Sequence, residues 1–446
     1  MCFSAASLRA VLEAHVPAGA TGLVVALSGG VDSTGLLAAA ASLGNSFRGL
    51  SLRAVHVDHG LQAAAGEFRE ACAASCARLN VPLRVVRAAV HVCAGESIEA
   101  AARDARYAAL QAELRPGECL MTAHHAKDQA ETLLLQALRG AGLKGMSAMP
   151  VCRTFGGGWH LRPALDSSRS ELLAAGAEAN CAAVADPMND DLRFDRSYLR
   201  RQVWPLLEKR WPGADGVLAR AARHAADAQR LLDRTAAADV ARLRDGDGLS
   251  VQGLRALCPE ARMNAVRYWL HAANVEPPGT SRLTEALRQV LDAEGDQLPA
   301  IAWGGHALRR YRQRLCLTEA QPPRLVGTHP WSTLAECRLE LGNNLGELRW
   351  APQAGGLDAA RLPGTLNVRR RAGGESLRAA ARAKTMSLQH LCQSYGVLPW
   401  MRDALPLVFA GGALIAVADL WADASWCKPP GEQGIAVVWE RAPIIV

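Results

Sequence analysis

No apolar run in this 446-residue chain approaches the roughly 20 residues that span a bilayer, which argues against a membrane-embedded helical protein. Residues Met1 to Val11 lack a charged start, a long apolar stretch and a cleavage site. A secretory leader is therefore not expected, and the reading is cytoplasmic, with no membrane partner. No internal repeat is visible, which excludes solenoids and propellers. Twelve cysteines are present, but none forms Cys-x-x-Cys. The closest pair, Cys72 and Cys76, sits at helical spacing in an Ala-rich stretch and reads as small buried side chains rather than as a metal site. What is present is ordinary for a globular protein: 50% hydrophobic and 21% charged residues. At roughly 150 residues per domain, the length suggests about three domains.

Net charge is +7, and its distribution says more than its sum. Between Arg193 and Arg234 there are ten Arg or Lys against five Asp or Glu. Arg309, Arg310, Arg312 and Arg314 fall within six residues, and Arg361 to Lys384 holds seven basic residues and one acid, Glu375. Such stripes fit either a polyanionic partner, nucleic acid first, or a solvated basic surface.

The first 150 residues alternate strand and helix signals. Apolar runs at Gly22–Leu27, Leu52–Val57, Leu83–Val86 and Cys119–Ala123 are each followed by a helical stretch, at Ser33–Leu43, Ala64–Leu79, about Ser97–Leu114 and Lys127–Leu138. This is the pattern of βαβ units and a parallel, doubly wound α/β sheet, whose ligands bind beyond the carboxyl ends of the strands. The unusual polar clusters Ser28–Ser33, His56–Gly60 and His124–Asp128 all fall at that end. Trp159–Leu161 is expected as a last strand and Ser168–Ala179 as a helix. Ser197–Trp211 reads as a basic helix and Asp215–Arg242 as a long one. A unit from about Asp247 to Thr318 is helical and then ends in short strands. Gln321–Gly327 marks a linker before a mixed last unit.

Ser28-Gly29-Gly30-Val31-Asp32-Ser33 lies between a strand and a helix start. Its glycines let backbone approach closely, and the helix's free N–H groups favour an anion. Ser28 and Ser33 add hydroxyl donors, and Asp32 can hold Mg²⁺ beside phosphate oxygens. A Walker A loop would end in Gly-Lys-Ser/Thr, but here there is no lysine. The loop therefore suits a site that grips β,γ-pyrophosphate as a leaving group; its bland alternative is a tight capped turn. His59 follows a strand where an imidazole can face a nucleotide or serve structure alone. His124 and Asp128 stand at a helix N-terminus. Asp128, Glu131 and Thr132 share one helical face, where carboxylates can bind Mg²⁺, recognise an ammonium group or simply cap the helix. Arg103 and Arg106 also share a face.

The loop resembles that of the PP-loop ATP pyrophosphatases. Three further stretches narrow the resemblance to the tRNA(Ile)-lysidine synthetase family: Val55-His56-Val57-Asp58-His59-Gly60-Leu61, Thr122–Thr132 and Arg139–Gly145. It covers about 200 residues closely and extends more weakly through Arg371–Glu375 and Leu398–Asp403. The resemblance implies ATP, with Mg²⁺ at Asp32. It implies Ser28 to Ser33 and His59 as nucleotide contacts, and His124, Asp128, Arg103 and Arg106 as catalytic groups. Glu131, Asp186, Asn189, Arg196 and Arg200 become candidates for contacting lysine or tRNA. The implied reaction joins free lysine to the wobble cytidine of an isoleucine tRNA with a CAU anticodon, with monomer and homodimer both open. Expected domains are 1–212 (catalytic), 213–322 (helical) and 323–446 (mixed, tRNA-contacting). Two positions depart from the family pattern: Lys127 where an acid is usual, and Ser197 where the pattern has Asn. The lysine-rich helix start of many members is replaced by Ser387–His390. A PP-loop tRNA thiolase and an inactive RNA-binding protein are the competing readings; the first usually needs paired cysteines.

Overall fold

The computed structural model describes residues 3–44, 47–58, 65–90, 98–184, 194–293, 298–333, 338–379 and 384–443. The chain divides into two compact units, Met1–Leu232 and Asp233–Val446.

The first unit opens with helix α1 (Ala5–His15), strand β1 (Gly22–Ala26) and helix α2 (Val31–Leu43). Then follow β2 (Ser51–Asp58), α3 (Ala65–Arg78), β3 (Leu83–Arg87), α4 (Ile98–Glu113), β4 (Glu118–Met121) and α5 (Ala126–Leu138). After the short α6 (Leu143–Met146) come β5 (Cys152–Phe155), β6 (Gly158–Leu161) and α7 (Arg169–Glu178). The six strands form one sheet in the order β3-β2-β1-β4-β6-β5. All neighbours are parallel except the β5–β6 hairpin. The sheet is thus the expected doubly wound one, with an antiparallel edge strand that the sequence reading missed. Alternation along β1 explains the two-sided burial: Leu23 and Val25 join the core with Leu36, Leu37 and Leu172, whereas Val24 joins Val55, Val57 and Leu110.

Strand order reverses at β1, because the chain passes to β2 and β3 on one side and returns through β4 on the other. That is the topological switch point, where an open α/β sheet leaves a crevice.

The expected helix from Ser197 to Trp211 is instead α8 (Asp195–Tyr198), a π-helical turn (Leu199–Val203) and α9 (Trp204–Arg210). Pro205 near the start of α9 cannot donate the usual backbone bond, and such wide turns favour functional places in a helix. Helix α10 runs from Ala214 to Leu243, and the division between the units falls within it.

The second unit has two apolar clusters. One gathers Val240 to Leu315 from α10, three shorter helices and a five-stranded sheet. The other gathers Leu325 to Trp439 around a mixed set of small sheets, with Trp331 stacked on Trp350 at 4.1 Å. The expected linker is partly fixed: Leu325 is fully buried, and its N–H donates to the carbonyl of Asp403. No helix among the described residues is long and apolar enough to cross a membrane.

Candidate active site

The loop from Ser28 to Ser33 joins β1 to α2. Gly29 has φ +86°, and a Cβ there would lie 3.0 Å from Phe68 and 3.2 Å from the Cys72 sulfur. Only glycine fits this turn. The Ser28 N–H donates to Ser33 Oγ at 3.2 Å, the two hydroxyls sit 3.0 Å apart, and Ser33 Oγ donates to the Gly30 carbonyl at 3.0 Å. Gly30 is the N-cap of α2 and provides no side-chain cap. The first N–H groups of the helix are therefore left for an anion, where the helix dipole favours one.

This helix end opens into a cavity of about 250 Å³. Its walls come from three strand ends: Ala26 to Ser28, Val55 to Asp58, and Thr122 to His124. Asp32, Ser33 and Arg106 also line it. Burial lowers the Arg106 pKa, yet a guanidinium stays charged, so the cavity has a fixed cation in its lining. Asp32 accepts from Arg169 Nε at 3.1 Å, both side chains being partly exposed. An exposed pair of this kind contributes only about 0–1 kcal/mol, so a better partner displaces it readily.

Asp32 and Asp58 are the carboxylates lining the cavity, and their hard oxygens suit Mg²⁺. Among the described residues no group of three ligating side chains exists, so phosphate oxygens and water would have to complete the shell of such an ion.

His124 lines the cavity from just beyond the end of β4, the strand next to β1. Burial pushes its pKa down to about 3 against the pull of Asp128. The imidazole is therefore neutral at pH 7.

A second cluster adjoins His124. Asp128 and Glu131 project from the first turns of α5. The fully buried Glu131 accepts from Arg196 Nε at 3.0 Å and from Arg200 Nε and a terminal nitrogen at 2.8 and 2.7 Å. Asp128 accepts from the same two arginines at 3.4 and 3.2 Å, and it also caps α5 by accepting the His125 N–H at 3.1 Å. Burial opposes ionisation of Asp128, but His125 and Arg196 hold its carboxyl below the usual value. Hydrogen bonding to Glu131 raises the Arg200 pKa. Two acids and two guanidiniums make a neutral cluster, and of the readings open for Asp128 the structure shows the capping contact. The π-helical turn carries Arg200, and Arg196 precedes it by one turn, so both reach the same helix face.

The structure thus gathers Ser28, Gly30, Asp32, Ser33, Arg106 and His124 around one cavity, and Asp128, Glu131, Arg196 and Arg200 beside it. Gly29 and Val31 shape the loop from behind. Arg103 is exposed, its guanidinium 5.2 Å from the Tyr107 ring, and does not line the cavity as Arg106 does. His59, Asp186 and Asn189 lie outside the described residues. Sequence reasoning missed Asp58, Arg169, Thr122, His160 and Arg162. Asp58 and Thr122 stand inside motifs already quoted, but the other three carry no local signal. Cys72 and Cys76 are buried as expected, and burial pushes their thiols up to about 12 and 11.

Lys127 forms no ion pair with Asp128 or Glu131 among the described residues, although the Glu131 charge acts on it. Its Nζ lies 5.2 Å from the ring centre of the buried Trp204, and burial lowers its pKa. An interaction of this kind contributes about 0.5–2 kcal/mol. Lys127→Ala should therefore lose about 1 kcal/mol in urea unfolding while steady-state turnover stays within about threefold. A loss beyond about a hundredfold in turnover, equivalent to about 2.7 kcal/mol of barrier, would show that the lysine acts in chemistry.

Residues 4–207 match a PP-loop domain model, 249–316 a TilS substrate-binding domain and 366–439 a TilS substrate C-terminal domain. The tRNA(Ile)-lysidine synthase of Alkalilimnicola ehrlichii is 40% identical over 92% of both chains. That of Coxiella burnetii is 37% identical over 88% of this chain and 87% of its own, and that of Methylococcus capsulatus 38% over 93% and 95%. Among solved structures, a U34-tRNA thiolase from Methanococcus maripaludis aligns over 49% of this chain and 77% of its own, at 13% identity and a TM-score of 0.40. With identity of this level sustained over nearly the whole length, the chain belongs to the tRNA(Ile)-lysidine synthase family.

Proposed function

We propose that this protein ligates lysine to the wobble cytidine of an isoleucine tRNA bearing a CAU anticodon, consuming ATP. The observation that carries the reading is the uncapped, lysine-free start of α2 opening at the switch point of the sheet. A loop without lysine does not clamp a γ-phosphate for transfer, but it can hold β,γ-pyrophosphate while the α-phosphate is attacked.

In this reading the cytidine's 2-oxo oxygen bonds to the α-phosphorus and pyrophosphate leaves. The side-chain amine of lysine then bonds to C2, and AMP departs with that oxygen. Backbone N–H groups of α2, with Ser28 and Ser33, hold the departing pyrophosphate. Arg106 faces charge building at the α-phosphate, the kind of fixed donor that lowers such barriers. Mg²⁺, when bound by Asp32 and Asp58 with the phosphates, would neutralise the leaving group. Asp128 and Glu131, with Arg196 and Arg200, offer lysine both signs of charge, for its ammonium and its carboxylate. The reactive base must be splayed out of its loop to reach the cavity. We divide the chain as 1–212 for chemistry, with 213–322 and 323–446 for tRNA.

The deciding experiment is AMP release from ATP in the presence of a CAU-bearing transcript, with and without lysine. Release that needs both supports the reading. Release indifferent to lysine, or to the anticodon, overturns it.

The tRNA assignment gives a separate expectation. Arg370 is exposed, whereas Arg369 pairs with Glu375 at 3.2 Å and Arg371 with Asp403 at 2.7 Å. Replacing the paired arginines would confound binding with folding. Arg370→Ala combined with Lys384→Ala should weaken tRNA binding. For each phosphate that the variant no longer neutralises, the slope of log affinity against log salt should become shallower by about 0.7–0.9. Filter binding across a salt series reads this, and an unchanged slope means the segment does not touch RNA.

A further inference from the structure

Behind His124 runs a chain of three side chains that the reaction as proposed does not use. Arg162 is 5% exposed. It donates to the carbonyl of Pro150 at 2.9 Å and to Nδ1 of His160 at 3.2 Å, and no carboxylate pairs with it among the described residues. His160 is fully buried, and its Nε2 lies 2.8 Å from Thr122 Oγ1. The same hydroxyl lies 2.8 Å from Nδ1 of His124.

The direction of every proton in this chain follows from one fact. A guanidinium can only donate, so Nδ1 of His160 must accept. A neutral His160 then carries its hydrogen on Nε2 and gives it to Thr122. The threonine has one hydroxyl hydrogen, and with His160 donating to its oxygen, the acceptor within reach of that hydrogen among the described residues is Nδ1 of His124. His124 must therefore carry its own hydrogen on Nε2, and that N–H has no protein acceptor among the described residues, although the ring lines the cavity.

We infer that Arg162, His160 and Thr122 are positioning residues that lock His124 as the Nε2–H tautomer, so that it meets the bound nucleotide as a fixed hydrogen-bond donor and not as a base. The inference rests on reading the cavity as the nucleotide site. Lowered basicity agrees with it: burial takes His160 down to about 2, with Arg162, His124, Arg153 and Arg103 adding to the effect. At His124, burial is joined by Arg162, Arg196 and Arg103, with Asp128 alone pulling the other way. A neutral donor stabilises developing charge without exchanging a proton with solvent.

The test uses Thr122→Val, which removes the hydroxyl at nearly constant shape, and Thr122→Ser, which keeps it. Ring-nitrogen NMR of the histidine-labelled full chain reads the tautomer directly, with or without activity. The wild type and Thr122→Ser should show His124 protonated at Nε2 alone from pH 6 to 8. Thr122→Val should show mixed tautomers of a ring that stays neutral, because burial and not the hydroxyl lowers its basicity. Its kcat should drop about tenfold or more, the KM for ATP should change less than about twofold, and Thr122→Ser should restore the rate. A wild-type His124 protonated at Nδ1, or a Thr122→Val protein with an unchanged tautomer, overturns the inference. If the tautomer is as stated but no variant or wild-type protein consumes ATP, the functional reading fails and the relay stands.

Discussion

Replacing Asp32 with asparagine should cut lysine-dependent turnover by about a hundred- to a thousandfold while leaving the fold intact. Asp32 sits in the first turn of α2, beside the N–H groups that Gly30 leaves uncapped, and its side chain is 32% exposed toward the cavity. The partner it has in the protein, Arg169, is too exposed to account for a large stability contribution. Asparagine keeps the volume and can still accept from Arg169, so thermal unfolding should barely move. What it loses is the full negative charge that the divalent cation of our proposal would need there. Electrostatic help of that kind amounts to several kcal/mol, and each 1.36 kcal/mol is a factor of ten in rate. Initial rates at saturating Mg²⁺, alongside a melting curve, decide it. A rate within about threefold of the parent removes Asp32 from the chemistry.

Glu131→Gln should fail differently, by losing stability and activity together. Glu131 is fully buried, and two guanidiniums converge on it. Without its charge, Arg196 and Arg200 keep Asp128 as the one acid paired with both of them among the described residues, two positive charges against one. Breaking a buried pair from one side costs about 3–5 kcal/mol, because the surviving charge is left uncompensated. At about 2–4 °C per kcal/mol for a unit of this size, the first unit should melt roughly 6–20 °C lower. Turnover should fall more than about a hundredfold, because the arginines no longer hold the geometry that we assign to lysine capture. Adding Arg200→Met to Glu131→Gln restores the charge balance and should return part of the stability but not the activity. An unshifted melting temperature for the single variant would mean that the pairing is dispensable.

Much of this was legible in the sequence because the signals are local. Strand–loop–helix alternation pointed to the sheet, and the glycine-rich loop at its first strand marked the turn that opens into the cavity. The β5–β6 hairpin escaped because Cys152–Phe155 is only four residues long and half exposed, too short for alternation to stand out. The helix expected from Ser197 was displaced by a π turn that periodicity does not encode. Arg103 and Arg106 looked equivalent at three-residue spacing, but only one reaches the cavity. The relay was invisible for a different reason. His160 and Arg162 acquire their meaning from β6 pairing with β4, in which His160 lies opposite Leu120, and no spacing within either strand announces that partnership.

The seam between α2 and α7 has a consequence in time. A Cβ on Gly35 would lie 2.1 Å from the Leu172 carbonyl oxygen, and one on Gly176 would lie 3.4 Å from the Gly35 nitrogen, so the two helices touch through bare backbone. Further along, the Val184 N–H donates to the Gly29 carbonyl at 3.0 Å, closing the loop from the side. Glycine inside a helix costs about 1 kcal/mol of intrinsic preference, and at Gly35 the close approach of α7 offsets that cost. Arg169, at the start of α7, lies 137 positions beyond Asp32. During synthesis the Ser28–Ser33 loop emerges well over a hundred residues before the wall that holds it in shape. Closing so long a loop is slow and entropically costly. The ribosome therefore releases the nucleotide site unfinished, and a half-made chain has the loop's letters without its grip.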